Sequence, residues 1–442
     1  MTLEEALTFA TDTVLLETGN ALKNAAILYR RHFGGEKCFL VADENTYAVA
    51  GETVAALLND NGVDLTQPLV YPGNPILPAE YALIQEIRGE ISSRCCFPVA
   101  VGSGTINDLV KVAAYENNLG YMVVATAASV DGYSAPGASI VKNGFKNSIY
   151  CSAPRVILAD SGVLRNAPLS MTAAGYADLA SKFPAGADWI IADEIGEDPI
   201  DDVCWRMVQT ALDDWLSKPE GIQHRDAAAI ATVFYGLIMT GISMQRLRKS
   251  RPASGAEHLM SHIWEMRHLS VDGVPVSHGF KVGIATLATT ALMNRLFARD
   301  LVDLDLHKAT KYRMSWDDEE RRIRTLFAGT QIVEDVIGES KAKYAEGSAF
   351  QRRIDAIAAG WSRICERAKR QLLLYDDLKN RFLKAGAPTR PEEIGLKRQD
   401  IGEAFRLARL IRNRYTCLDL AFDTGIFDEC IDEVLDSETF FA

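Results

Sequence analysis

Short apolar runs alternate with amphipathic ones through the first third of this chain, and that alternation limits the possible folds more than any other feature. Cys38-Phe39-Leu40-Val41-Ala42 reads as a buried strand, ended by Asp43-Glu44-Asn45-Thr46. A helical pattern follows, with Val49, Val54, Leu57 and Leu58 on one face. Pro68-Leu69-Val70-Tyr71-Pro72 is a second extended run and Phe97-Pro98-Val99-Ala100-Val101 a third, closed by Gly102-Ser103-Gly104-Thr105. A helix then runs from Ile106 to Glu116, and Tyr121-Met122-Val123-Val124-Ala125 supplies a fourth strand. Strands that alternate with helices in this way pair in parallel, because each crossover must return the chain to the same edge of the sheet.

Beyond Pro168 helical periodicity takes over. Ala185 to Ala192, Asp201 to Leu216, Ala227 to Arg246 and Val282 to Phe297 read as helices, and the stretch from Trp316 onward is charged and amphipathic. At 442 residues the chain exceeds one ordinary core. The expected layout is a Rossmann-like α/β domain over 1–165, an all-α domain over 166–442, and an active site in the cleft between them.

A net charge of -12 argues against an electrostatic nucleic-acid footprint. There is no run of 18 or more apolar residues, so no membrane span is expected. The N-terminus, Met1-Thr2-Leu3-Glu4-Glu5, lacks the basic start of a signal peptide. The eight cysteines form no CxxC pair, which fits a reduced cytoplasmic chain. A homodimer or larger assembly is expected.

Gly102-Ser103-Gly104-Thr105-Ile106-Asn107-Asp108 lies between a strand and a helix. Small residues there let backbone N–H groups approach a pyrophosphate, and the start of the helix adds favourable partial charge. Asn107 stands where the third glycine of GxGxxG would be. A tight strand-to-helix turn needs glycine for its own sake, so the stretch alone is a weak signal. Asp43 can accept hydrogen bonds from a ribose diol, or simply cap a helix. Thr126-Ala127-Ala128-Ser129-Val130-Asp131-Gly132 follows the fourth strand, where open α/β sheets bind ligands; Asp131 could hold a substrate hydroxyl or form an Asp-Gly turn.

Gly175-Tyr176-Ala177-Asp178, then Gly255-Ala256-Glu257-His258-Leu259-Met260-Ser261-His262 and Ser277-His278-Gly279, offer one carboxylate and two or three imidazoles beside small residues. Such a set can hold a divalent metal and leave a position open for a substrate oxygen. His258 and His262 share a helix face, but Leu259 replaces the glutamate of HExxH. Any one of these histidines could equally be hydrogen-bonded for structural reasons.

Taken together, these motifs resemble the sn-glycerol-1-phosphate dehydrogenases, including the bacterial AraM-like enzymes, within the metal-containing alcohol dehydrogenases and dehydroquinate synthases. The resemblance runs from Thr13 to Asp428. It includes Asp178-Leu179-Ala180-Ser181-Lys182, Gly386-Ala387-Pro388-Thr389 and Arg412-Asn413-Arg414-Tyr415-Thr416. It implies Asp178, His258 and His278 as metal ligands. Asp131 and His262 are implied as catalytic, substrate-contacting residues, with Asp178 also near the substrate. Gly102, Ser103, Gly104, Thr105, Asn107, Asp108, Thr126 and Ser129 are implied to bind NAD or NADP, with Asp43 the candidate for the ribose. Ala135 stands where the family commonly has a serine, with Ser134 beside it. The implied reaction interconverts dihydroxyacetone phosphate and sn-glycerol 1-phosphate on one divalent metal: zinc first, with nickel and iron(II) open. A polyol dehydrogenase and a dehydroquinate-synthase-like lyase are the alternatives. The phosphate of the small substrate is expected near Arg246, Arg248, Lys249 and Arg251, or near Lys142, Lys146 or Lys182.

Overall fold

The computed structural model describes residues 1–142, 145–311, 313–437 and 440. Six strands form one parallel sheet: β1 (Leu15–Gly19), β2 (Lys37–Asp43), β3 (Leu69–Tyr71), β4 (Cys96–Gly102), β5 (Met122–Ala125) and β6 (Val156–Asp160). Their spatial order is β1-β6-β5-β4-β2-β3. β5 and β6 are buried along their whole length, as strands covered on both faces must be. The chain moves outward from β2 to β3, then crosses back over β2 to lay down β4 and continue the other way. The order therefore reverses between β2 and β4, the place where such sheets open a crevice at their carboxyl ends.

Register puts the relevant strand ends level with one another. Val41 pairs with Ala100, and Gly102 pairs with Ala125. Asp43, the Gly102 turn and Thr126 thus lie side by side at the carboxyl end of the sheet. The expected helix after β2 is present, but a π-helical turn at Tyr47–Gly51 shifts its phase. Val54 and Leu58 are buried, whereas Val49 turns out to solvent. The expected helix over 201–216 is broken into Asp202–Val208 and Leu212–Trp215.

The chain divides into two compact units. One comprises Met1–Leu179, Arg206–Ser250 and Lys384–Gly386, and the other Ala180–Trp205, Arg251–Leu383 and Ala387–Ala442. A single boundary at 165/166 is therefore not where the units part. Most of the helix Leu169–Ala180 and all of Ala227–Leu247 belong to the unit that holds the sheet. Gly175 lies so close to the Ala128 carbonyl that a Cβ there would come within 2.0 Å of it. Ser134 Oγ donates to the Ile238 carbonyl at 2.8 Å, and Gln245 Oε1 accepts from the amides of Thr11, Asp12 and Thr13. Among the described residues, Ala227–Leu247 alone is long and apolar enough to cross a membrane, and 72% of its most apolar window is buried inside the protein.

Among its described residues, the second unit is helical apart from a ribbon of Ser270–Val271 with Val274–Pro275. Ala256–Met266 packs on His278–Leu296 and on Arg398–Ala408, and Lys182–Glu194 packs on Gly347–Gln371. Trp189 and Trp264 fill the core between such helices. All eight cysteines are free thiols.

Candidate metal and cofactor site

Asp178 sits near the end of its helix with no surface exposed. Its Oδ2 accepts from the backbone N–H of Asp131 at 3.1 Å, so the Thr126–Gly132 loop aims this carboxylate. The contact between Gly175 and Ala128 brings helix and loop together, and it explains the glycine three residues before the acid.

His258 and His262 lie on Ala256–Met266, and His278 opens His278–Leu296. Ser277 caps that second helix by accepting from the Phe280 amide. Between the two helices, Asp272 and Gly273 take positive φ angles of 51° and 79° and turn the ribbon tightly. The three rings then form a triangle, with centroids 5.5 Å apart for His258 and His278 and 6.4 Å for each pair that includes His262.

Asp178, His258 and His278 each present a ligand atom, and these atoms all lie within 4.8 Å of one another. The imidazoles are oriented for such a role. His258 Nδ1 is 2.8 Å from Glu257 Oε1, and His278 Nδ1 is 2.8 Å from Glu265 Oε1. A carboxylate can only accept, so each Nδ1 carries the proton and each Nε2 keeps its lone pair. This carboxylate–imidazole pattern is how proteins prepare histidines for a metal. One acid and two imidazoles suit zinc, nickel or iron(II). The donor set and its orientation fit a divalent ion. Burial works to raise the pKa of Glu257, but its bond to His258 and the Gly255 amide outweigh it and hold the carboxyl below its ordinary value.

His262 stands apart from that trio. Its Nδ1 lies 3.1 Å from Glu265 Oε2. Burial lowers its pKa to about 4, against the opposing pull of Glu265, so the ring is neutral at pH 7.

At the sheet edge, the helix Gly104–Glu116 starts without a side-chain cap. The hydroxyl of Ser103 instead lies 2.5 Å from Ser129 Oγ, joining the glycine turn to the next loop. The backbone N–H groups of Gly104 and Thr105 are therefore not covered by a capping side chain, which suits an incoming pyrophosphate. Thr126 and Ser129 are buried close by. Asn107 and Asp108 each hold a side-chain partner within the protein. Asn107 Oδ1 accepts from Tyr121 Oη at 2.8 Å, and Asp108 Oδ2 accepts from the Ser139 amide at 3.1 Å. Both side chains are thus committed to internal packing. Asp43 caps the next turn, with Oδ1 accepting from the Thr46 amide at 2.9 Å, at the strand end where a ribose would lie.

Several of the residues expected near the phosphate hold partners within the protein. Arg251 is only 2% exposed; Nη2 donates to the Asp188 carbonyl at 2.8 Å, and Nε is 3.3 Å from Asp198 Oδ2. Arg251 thus braces the start of Ala256–Met266, whose first amide donates to Asp188 Oδ2 at 2.7 Å. Arg246 lies over the Phe9 ring and Lys142 over Tyr81. Lys182 is fully buried. The side chain of Lys146 lies outside the described residues.

A profile of the iron-containing alcohol dehydrogenases matches residues 17–168. The NAD(P)+ glycerol-1-phosphate dehydrogenase of Halalkalibacterium halodurans is 36% identical over 255 residues, which cover 57% of this chain and 64% of that protein. This chain therefore matches a little under two thirds of that relative's length. The corresponding enzyme of Bacillus subtilis is 31% identical over 299 residues, 67% of this chain and 75% of that one. This chain belongs to the glycerol-1-phosphate dehydrogenase family. A solved probable glycerol dehydrogenase from Sinorhizobium meliloti superposes with a TM-score of 0.61, covering 96% of this chain and 98% of that one at 14% identity, a likeness of fold.

Within this glycerol-1-phosphate dehydrogenase family member, three supporting residues escape a reading of the sequence alone. Glu257 and Glu265 orient the imidazoles. Lys111, fully buried, donates from Nζ to the carbonyls of Gly132, Ala135 and Gly137 at 2.7, 3.1 and 3.0 Å, and so clasps the loop that follows Asp131. The i, i+3 spacing of His262 with Glu265 is a usable signal. Nothing in the sequence around Lys111 points to that loop. Ser134, beside the unusual Ala135, is turned into the core toward Ile238.

Proposed function

We propose that this chain is a metal-dependent, NAD(P)-linked dehydrogenase that interconverts dihydroxyacetone phosphate and sn-glycerol 1-phosphate. The observation that carries the proposal is the meeting of Asp178, His258 and His278, two of them imidazoles with their Nδ1 atoms already occupied by carboxylates. A divalent ion held by these donors supplies Lewis acidity toward a carbonyl or hydroxyl oxygen. The nicotinamide supplies or accepts the hydride.

The residues of the chain do the rest. Asp131 holds Asp178 through its backbone and offers its own carboxylate to a substrate hydroxyl. His262, neutral and with Nδ1 fixed on Glu265, accepts a substrate hydroxyl proton at Nε2 during oxidation and returns it during reduction. The Gly104 and Thr105 amides receive the pyrophosphate, and Asp43 receives the ribose diol.

The test is one assay. Metal-stripped protein is restored with zinc, nickel or iron(II) and offered dihydroxyacetone phosphate or free glycerol with NADH, NADPH or the oxidised forms. Metal-dependent, stoichiometric oxidation of NAD(P)H by dihydroxyacetone phosphate is expected. Turnover confined to glycerol would instead favour a polyol dehydrogenase, and absence of net NAD(P)H consumption would end the dehydrogenase reading.

A further inference from the structure

Glu265 is buried, and its two oxygens serve two different imidazoles. Oε1 lies 2.8 Å from His278 Nδ1, and Oε2 lies 3.1 Å from His262 Nδ1. Lys281 Nζ stands 3.3 Å from Oε1. Glu265 and His262 are three residues apart on one helix; His278 and Lys281 are three apart on the next. Each pair therefore lies on a single helix face. One carboxylate thus pins two helices together through a ligand candidate and a proton-handling candidate. Lys281 balances the charge that burial would otherwise make costly. The carboxylate also lies at the N-terminal turn of His278–Leu296, where a negative charge is favoured.

We propose that Glu265 is the positioning residue that fixes the tautomer and direction of His278 and His262 together, so that metal retention and proton handling depend on one side chain. The proposal rests on the functional reading above. A carboxylate offers acceptors at both oxygens, so both rings must donate from Nδ1 and both must keep Nε2 bare. The rings are accordingly nearly parallel, 24° apart. A carboxamide has one acceptor oxygen. Its NH2 would face the other ring's N–H, and that ring would have to turn or change tautomer.

The test uses the intact protein and the variant Glu265→Gln. In zinc-free wild type with 15N-labelled histidine, long-range nitrogen–proton spectra should show Nδ1–H tautomers for both His262 and His278, assigned with His262→Gln and His278→Gln. In Glu265→Gln at least one ring should change tautomer. Zinc should then bind about 10- to 100-fold more weakly in competition with a chromophoric chelator. With zinc saturating, kcat should fall while KM for NAD(P)H holds. An Nε2–H tautomer of either ring in the wild type overturns the proposal, and this result needs no variant to fold. Unchanged zinc affinity in Glu265→Gln overturns it too. Both measurements are made without substrate. Failure to turn over dihydroxyacetone phosphate would therefore sink the functional reading alone and leave the role of Glu265 standing.

Discussion

Replacing Gly175 by alanine tests the joint between the loop before Asp131 and the helix that carries Asp178. The added Cβ would lie 2.0 Å from the Ala128 oxygen, 2.7 Å from the Ala128 carbon and 3.0 Å from the Ser129 Cα. All three are backbone atoms, so no side chain can swing aside. Unstrained contacts between such atoms lie near ~3.5 Å, and helix and loop must separate by about 1 Å or more. Overpacking of a tight core costs about 1–3 kcal/mol, and the upper end applies where only backbone can yield. For a unit of this size each kcal/mol lowers Tm by about 2–4 °C, which gives a fall of about 6–12 °C. Asp178 follows Gly175 on the same helix, and a displacement of ~1 Å at a reacting group can cost about 100-fold in rate. Calorimetry, zinc content and dihydroxyacetone phosphate reduction should all register the change. Gly89→Ala is the control, because that exposed helical glycine has nothing within 4 Å of its would-be Cβ. Its replacement should be neutral or stabilise by about 0.5–1 kcal/mol. If Gly175→Ala melts with the wild type and keeps its zinc, the packing argument is wrong.

Three further substitutions separate chemistry from support. His258→Ala should leave the protein folded but unable to retain zinc through dialysis, a loss of several kcal/mol in affinity; metal content that stays at one per chain would remove His258 from the ligand set. Arg251→Ala should destabilise by about 3–5 kcal/mol, because Asp188 and Asp198 lose a buried partner, and should impair phosphorylated and free substrates alike. A raised KM for dihydroxyacetone phosphate with an unchanged melting curve would restore Arg251 as a phosphate ligand. Lys111→Met should strand three loop carbonyls, cost about 1–3 kcal/mol and raise KM for NAD(P)H in steady-state kinetics; no change in either would show that the loop holds itself.

The sheet is largely legible because parallel strands are buried on both faces and read as apolar runs. Three of its strands, β2, β4 and β5, declare themselves this way, whereas β3 lies at an edge, buries only Tyr71 and shows as a short extended run between Pro68 and Pro72. β1 does not, since Leu15–Gly19 buries only Leu16 and sits at the edge. β6, Val156–Asp160, has the apolar run but follows an antiparallel hairpin, Ala138–Lys142 with Phe145–Ile149, in place of a helix, so the alternation that marks the other four is interrupted before it. The donors Asp178, His258 and His278 stand out by residue type and by their small neighbours, which close approach requires. The structural role of Arg251 is hidden in the sequence for a different reason. A run of arginines looks alike whether it faces a ligand or is folded under a helix, and only the partners of Arg251 tell the two apart. The partners of Asn107 and Asp108 are hidden in the same way: their motif is recognisable, but the direction of each side chain depends on Tyr121 and on Ser139, both distant in the local pattern.

The ribbon at 270–275 carries no candidate donor. Most of its residues are exposed, and none is buried. Apart from the turn pair Asp272-Gly273, its side chains are accordingly free to vary. Its length is not, because the number of residues between Met266 and Ser277 meters how far the second helix slides along the first. One residue more or fewer there would carry His278 away from its neighbours by a fraction of a helical turn. Mutational tolerance in this segment should thus be broad for exchanges outside Asp272 and Gly273, whose left-handed backbone makes the turn, and nil for insertions: the ribbon works as a spacer gauge, set by its turn and its length.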